Sequence, residues 1–157
     1  MSETPKIQRL GAADAELASR VLHKLKQDVA PGRARSSQAM LRWLLNSDHV
    51  LLVAISESDP VGFALGYFLE RVDEDVPMLF FYEIEVHKDK RRHGIGGRLV
   101  EAMKAIARQA QVRKMWVQTA PANLAAQALY ERQGGTVSDT PDLVYTWDVE
   151  TLEQPVE

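Results

Sequence analysis

A basic, glycine-rich turn between a strand and a helix constrains this sequence more than any other feature. Lys88-Asp89-Lys90-Arg91-Arg92-His93-Gly94-Ile95-Gly96-Gly97 follows the aromatic run Met78 to Val86 (MLFFYEIEV). After it comes a helical stripe of Leu99, Met103, Ile106 and Ala110. The first turn of a helix has backbone N–H groups with no intrahelical partner and carries the positive end of the helix dipole. Glycines let a bulky anion approach that backbone, and Arg91 and Arg92 add charge, so a phosphate or diphosphate is the natural guest. Two common phosphate loops do not fit. A Walker loop needs Gly-Lys-Ser or Gly-Lys-Thr where this chain has Gly97-Arg98-Leu99. A Rossmann fingerprint needs a third glycine at Leu99 inside a parallel βαβ unit, and the strands before this turn read as antiparallel.

The rest of the chain supplies the elements around that turn. Pro5 to Leu10 reads as a short opening strand. Asp14 to Gln27 reads as a helix with Leu17, Val21, Leu22 and Leu25 on one face. Pro31-Gly32 breaks the pattern, and Ser36-Ser37 caps a second helix carrying Met40, Leu41, Leu44 and Leu45 and ending near Asn46. His49 to Ile55 and Val61 to Leu69 read as antiparallel strands joined by a turn at Ser58-Asp59-Pro60. Glu70 to Pro77 is an acidic loop. Lys114 to Thr119 is a strand, Asn123 to Gln133 a helix closed by Gly134, Leu143 to Val149 a last strand, and Glu150 to Glu157 a loose polar tail. The expectation is one α/β domain over residues 1–157 with a mostly antiparallel front half.

Composition narrows the chemistry. The chain has no cysteine, which excludes disulfides, thiolate metal sites and a cysteine nucleophile. A net charge of −3 gives no electrostatic case for nucleic acid. His23, His49, His87 and His93 follow no metal-ligand spacing, and no Gly-x-Ser-x-Gly elbow is present, so neither a metal nor a serine triad is expected. No apolar run approaches a membrane span and the first residues lack a signal pattern, so the expectation is a cytoplasmic protein without membrane contact.

Arg91, Gly94 and Gly96 satisfy the pattern Arg/Gln-x-x-Gly-x-Gly/Ala, with Val86 ending the strand before it. A second segment, Asn123-Leu124-Ala125-Ala126-Gln127-Ala128-Leu129-Tyr130-Glu131-Arg132-Gln133-Gly134, fits Asn-x-x-Ala-x-x-x-Tyr-x-x-x-Gly. In these two segments and in the order of its elements, the chain resembles the GNAT N-acetyltransferase superfamily. That resemblance implies a GNAT fold: a mixed, mostly antiparallel sheet of six or seven strands flanked by about four helices.

It also implies acetyl-CoA as cosubstrate and direct attack by an amine in a ternary complex. An alkylammonium of pKa about 10.4 is only about one part in 2,500 neutral at pH 7, so the reaction needs a base or a water relay. Glu83 and Glu85, two apart in a strand, share a face; alternation puts them beside Phe81 and opposite Tyr82 and Ile84. A carboxylate among aromatics makes a partly desolvated base, and Glu83 is favoured with Glu85 second. By the resemblance, Tyr130 is the proton donor to the departing thiolate, and Asn123 contacts the pantetheine, caps its helix, or does both. The backbone of Ile84, Glu85 and Val86 would pair with the pantetheine arm, and Arg91, Arg92, His93, Gly94, Ile95, Gly96 and Gly97 would hold the diphosphate.

At a finer level Tyr82-Glu83-Ile84-Glu85-Val86, Arg91-Arg92-His93-Gly94-Ile95, Val117-Gln118 and Ala128-Leu129-Tyr130 resemble the aminoglycoside 3-N-acetyltransferase branch. The acceptor implied is a small cationic amine, with Glu70, Asp73, Glu74, Asp75, Asp142 and Asp148 as an acidic rim to attract it. The chain departs from that branch at Ala120-Pro121-Ala122-Asn123, where the branch is acidic. A polyamine, an amino acid or a protein amine are rival acceptors, and a non-catalytic CoA-binding sensor is the rival of another class. Dimers are common in such families, and a homodimer is the corresponding expectation.

Overall fold

The computed structural model describes residues 4–26, 35–138 and 144–147. Their five-stranded sheet has the order β1-β2-β3-β4-β5. β1 (Lys6–Arg9), β2 (His49–Ser56), β3 (Asp59–Leu69) and β4 (Met78–Val86) are antiparallel neighbours, and β5 (Met115–Trp116) joins β4 in parallel. The helices are α1 (Ala15–Leu25), α2 (Ser37–Leu44), α3 (Ile95–Gln109) and α4 (Leu124–Arg132). Six or seven strands were expected and five are present among the described residues. Residues 144–147 carry no strand, and the rest of the expected last strand, like Pro31-Gly32 and the tail from Glu150, lies outside them. None of the helices is long and apolar enough to cross a membrane, among the described residues.

Side-chain size on β3 explains the two helical layers. Gly62 and Gly66 face α3: an added Cβ would lie 3.4 Å from Ile95 and Leu99 at the first and 3.1 Å from Met103 at the second. Those small residues let α3 lie close, and Ile95, Leu99, Val100, Met103 and Ala107 are buried with Ala64, Leu79 and Phe81. Ala107, four residues after Met103, completes the stripe; Ala110 is the exposed C-cap. The alternate residues Phe63 and Leu65 face the other way, into a second core with Val21 and Leu25 of α1 and Met40 of α2. Full burial of each such side chain contributes about 1.5–3 kcal/mol.

The β2–β3 turn differs from its expected place. Ser56 pairs with Asp59, so the loop is Glu57-Ser58, both at positive φ (50° and 69°). A two-residue hairpin loop of this kind matches the twist of its strands. Asp59 and Pro60 are therefore inside β3, where a bulge between Ala54 and Ile55 accommodates the proline that cannot donate.

β4 carries the irregularity that shapes the site. Leu65 pairs with Glu83 and Gly66 with Phe81, which leaves Tyr82 as an extra residue. A bulge of this kind breaks strict alternation. Leu79 and Phe81 face α3, and beyond the bulge Ile84 and Val86 pack on that same core. Glu83 and Glu85 share a face with each other, as expected, but it is the face of Leu65 and Phe63 rather than that of Phe81.

Candidate active site

The basic turn folds around two left-handed residues, Arg92 (φ 65°) and Gly94 (φ 77°), and Gly94 is the N-cap of α3. The first helical hydrogen bond here runs from the Arg98 N–H to the Gly94 carbonyl, at 3.1 Å. The six N–H groups from Arg92 through Gly97 have no acceptor among the described residues. Such a run at a helix start forms an anion-binding nest. A Cβ on Gly94 would meet nothing within 4 Å, so this residue borders open space. Gly96 and Gly97 have a different use: a Cβ there would lie 3.2 Å from Leu129 and 3.0 Å from Gln133, so both make room for α4. Arg91 is turned back onto β4, its Nε donating to the Val86 carbonyl (2.9 Å) and its guanidinium pairing with Glu85 (2.7 Å). His93 Nδ1 donates to the Arg91 carbonyl at 2.7 Å.

Beside this turn, one edge of β4 opens. Its pairs with β5 are Leu79 with Met115 and Phe80 with Trp116, so the strand expected over Lys114 to Thr119 contributes only two residues. From Phe81 to Val86 no strand borders that edge among the described residues. His87 donates to the Val61 carbonyl on β3 at 2.8 Å. By the alternation of a strand, the polar groups of Val86 and Ile84 then point to the open edge, where the Val86 carbonyl already accepts from the Arg91 Nε.

The two faces of β4 hold different chemistry. On the face toward α1, Glu83 pairs with Lys26, Oε2 to Nζ 2.9 Å, with the side chains 24% and 27% exposed. A row of rings runs along this face: Trp43 stacks on His49, both meet Tyr67, and Tyr67, Tyr82 and Phe80 follow edge-on at 5.6 Å spacings before Phe80 stacks on Trp116. On the other face Tyr130 of α4 lies edge-on to Phe81 at 6.1 Å, half-buried against the core that holds Ile84 and Val86. Its hydroxyl has no hydrogen-bond partner among the described residues, and burial raises its pKa. Asn123 caps α4 by accepting from the Ala126 N–H at 3.1 Å. Among the described residues no three acidic or histidine side chains cluster to hold a metal ion.

Burial also raises the pKa of Tyr67, aided by Tyr82 and Glu83 and opposed by a hydrogen bond from Trp43 and by Arg35. Tyr67 and Tyr130 thus hold their protons more tightly folded than unfolded, so their contribution to stability is complete below pH 10.0 and is lost as pH rises above it. A fall in Tm above about pH 10, made shallower in Tyr67→Phe/Tyr130→Phe, is the expected result of a pH series of thermal melts.

The acidic loop is elsewhere. Glu70, Glu74 and Asp75 line a groove of about 490 Å³ with Ser47, Asp48, Arg71 and Pro77, at the end of β4 remote from the basic turn. Glu83 is five residues up the strand from Met78, roughly 17 Å at the usual rise. Arg71 pairs with Asp73 and Glu74, and Arg113 also with Glu74. Asp142 and Asp148 lie outside the described residues. Among the described residues Glu83 has Lys26 as its ion-pair partner, which sequence reasoning missed; nothing in the sequence marks a contact across 57 residues.

The family model described as "Acetyltransferase (GNAT) family" matches residues 18–135. Among solved structures, an aminoglycoside acetyltransferase from an uncultured soil metagenomic sample, in complex with sisomicin, superposes with a TM-score of 0.82 at 21% identity, covering 92% of this chain and 96% of that one. AAC(6')-Iy in complex with a bisubstrate analogue of CoA and acetylneamine gives 0.73 at 18% identity, covering 92% and 99%. A ribosomal-protein-alanine N-acetyltransferase from Brucella melitensis gives 0.69 at 21% identity, covering 91% and 99%. No curated protein matches the chain by sequence. At these identities the structural likeness carries the fold.

Proposed function

Because this chain belongs to the acetyltransferase (GNAT) family, we propose that it moves the acetyl group of acetyl-CoA to a cationic primary amine held on the Glu83 face of β4, an aminoglycoside being the acceptor favoured. The carrying observation is that Glu83 and Tyr130 lie on opposite faces of one strand whose outer edge is open. A thioester laid along that edge has a proton acceptor on one side and a proton donor on the other.

Acetyl-CoA supplies the activated acyl group. The N–H groups of residues 92–97 bind its diphosphate, and the edge of β4 at Ile84 and Val86 pairs with its amide-bearing arm. Arg91, Arg92 and His93 shape and charge that turn, Arg91 by tying it to Glu85 and Val86. Glu83 takes a proton from the incoming ammonium, directly or through water. As the C–N bond forms and the C–S bond breaks, Tyr130, kept protonated by burial, gives its proton to the sulfur. Asn123 starts the helix that aims Tyr130. The aminoglycoside preference rests on the fold shared with the sisomicin complex and on Tyr82-Glu83-Ile84-Glu85-Val86. A cytoplasmic homodimer completes this reading, and sedimentation velocity tests the dimer.

Release of CoA is measured with sisomicin, spermidine, free amino acids and a lysine peptide. Turnover highest on sisomicin is expected. CoA binding with no turnover on any amine would replace the enzyme by a sensor module. Tyr130→Phe is expected to lower kcat about 10- to 100-fold while the KM for acetyl-CoA stays within about twofold. An unchanged kcat would remove Tyr130 as the acid.

A further inference from the structure

We propose that Lys26 is a stand-in for the acceptor: its ammonium occupies the position on Glu83 that the substrate's ammonium takes on binding, which makes Lys26 a specificity-determining residue for cationic amines. This rests on the acetyltransferase reading and narrows it to acceptors that arrive charged. A lysine ammonium and an alkylammonium substrate are the same compact, hydrated point charge. The contact is short, at 2.9 Å, and each side chain is about a quarter exposed, so the pair is partly desolvated yet open to exchange.

Lys26 is the C-cap residue of α1, and it is the backbone N–H, donating to the Leu22 carbonyl, that ties it to the helix. The ammonium can therefore swing away without unwinding the helix. The groups around the carboxylate favour a cation there. Glu83 lies beside Tyr82, and Tyr67 and Tyr82 turn edge-on to one another at 5.6 Å, while Phe80 lies 5.6 Å beyond Tyr82. Tyr67 feels both Glu83 and Arg35, and among the described residues the charged and titratable groups on this face include Lys26, Arg35, Tyr67, Tyr82 and Glu85, the last already paired with Arg91. Exchanging one ammonium for another never leaves Glu83 half-buried and unpaired, the costly state. A neutral amine has nothing to exchange and must act with Lys26 still in place.

The test follows CoA release with sisomicin, spermidine and a lysine peptide, and binding of the same three amines to the CoA-loaded protein by calorimetry. In Lys26→Met and in Lys26→Gln, KM and Kd for the amine that wild type uses best fall about five- to tenfold, while the KM for acetyl-CoA does not move. Lys26→Arg keeps a competing cation on Glu83 and leaves amine affinity at or below the wild-type value. In a Glu83→Gln background Lys26→Met changes amine Kd less than about twofold, because the carboxylate through which it acts is gone. Amine affinity that is unchanged or weaker in both Lys26 variants overturns the proposal, as does an equal gain in the Glu83→Gln background. Wild type that turns over no amine sinks the acetyltransferase reading alone; calorimetry still decides Lys26, and amine binding in none of the proteins overturns it.

Discussion

Gly94→Asp is expected to lose acetyl-CoA binding by at least about a hundredfold while the protein folds normally. Gly94 sits at φ 77°, a region aspartate tolerates better than most residues, and its missing Cβ borders open space. The cost to the fold is therefore about 1 kcal/mol of backbone strain. The cost to the ligand is larger. A carboxylate about 4 Å from a diphosphate charge repels it by about 4 kcal/mol at an effective dielectric of 20, about a thousandfold in affinity. Gly94→Asn separates charge from shape: it has the same size and the same tolerance for left-handed backbone, and it should keep most of the affinity. Calorimetry with acetyl-CoA reads both. Affinity within a few-fold of wild type in Gly94→Asp would mean that the diphosphate binds elsewhere.

Glu83→Gln is expected to lower kcat/KM for the amine at pH 7 by about 10²- to 10⁴-fold, the usual worth of a positioned base. The KM for acetyl-CoA should hold, since Glu83 lies on the face of β4 away from α3 and the basic turn's helix. The deficit should shrink as the pH is raised from 7 to 9. Over that range the neutral fraction of an alkylamine of pKa about 10.4 rises about a hundredfold and solvent takes over proton removal. A variant with full activity at pH 7, or a deficit independent of pH, would take the base's role away from Glu83.

The sequence made the frame of the site legible where local rules operate. The aromatic run Met78–Val86 is one strand with the expected bounds, Ser36 and Asn123 are helix caps, and Gly94 is the left-handed start of α3. What escaped depends on tertiary pairing. The bulge at Tyr82 leaves no mark in MLFFYEIEV, because apolar and acidic residues fit either parity, yet it moves Glu83 to the other face. Gly96 and Gly97 read as phosphate glycines; that a Cβ there would also meet Leu129 and Gln133 is a packing demand the sequence does not show. The acidic loop Glu70–Asp75 read as a rim for the acceptor, and β4 carries it to the far end of the strand. The last strand of the reading lies mostly outside the described residues.

A crystal structure with CoA bound tests the assignment most directly. The expected density has the diphosphate within about 2.7–3.2 Å of the N–H groups of residues 92–97. The arm should run along the open edge of β4 at Ile84 and Val86, with the sulfur on the Tyr130 side of the strand. A diphosphate bound away from that turn, in the groove beside Glu74 for instance, would contradict it.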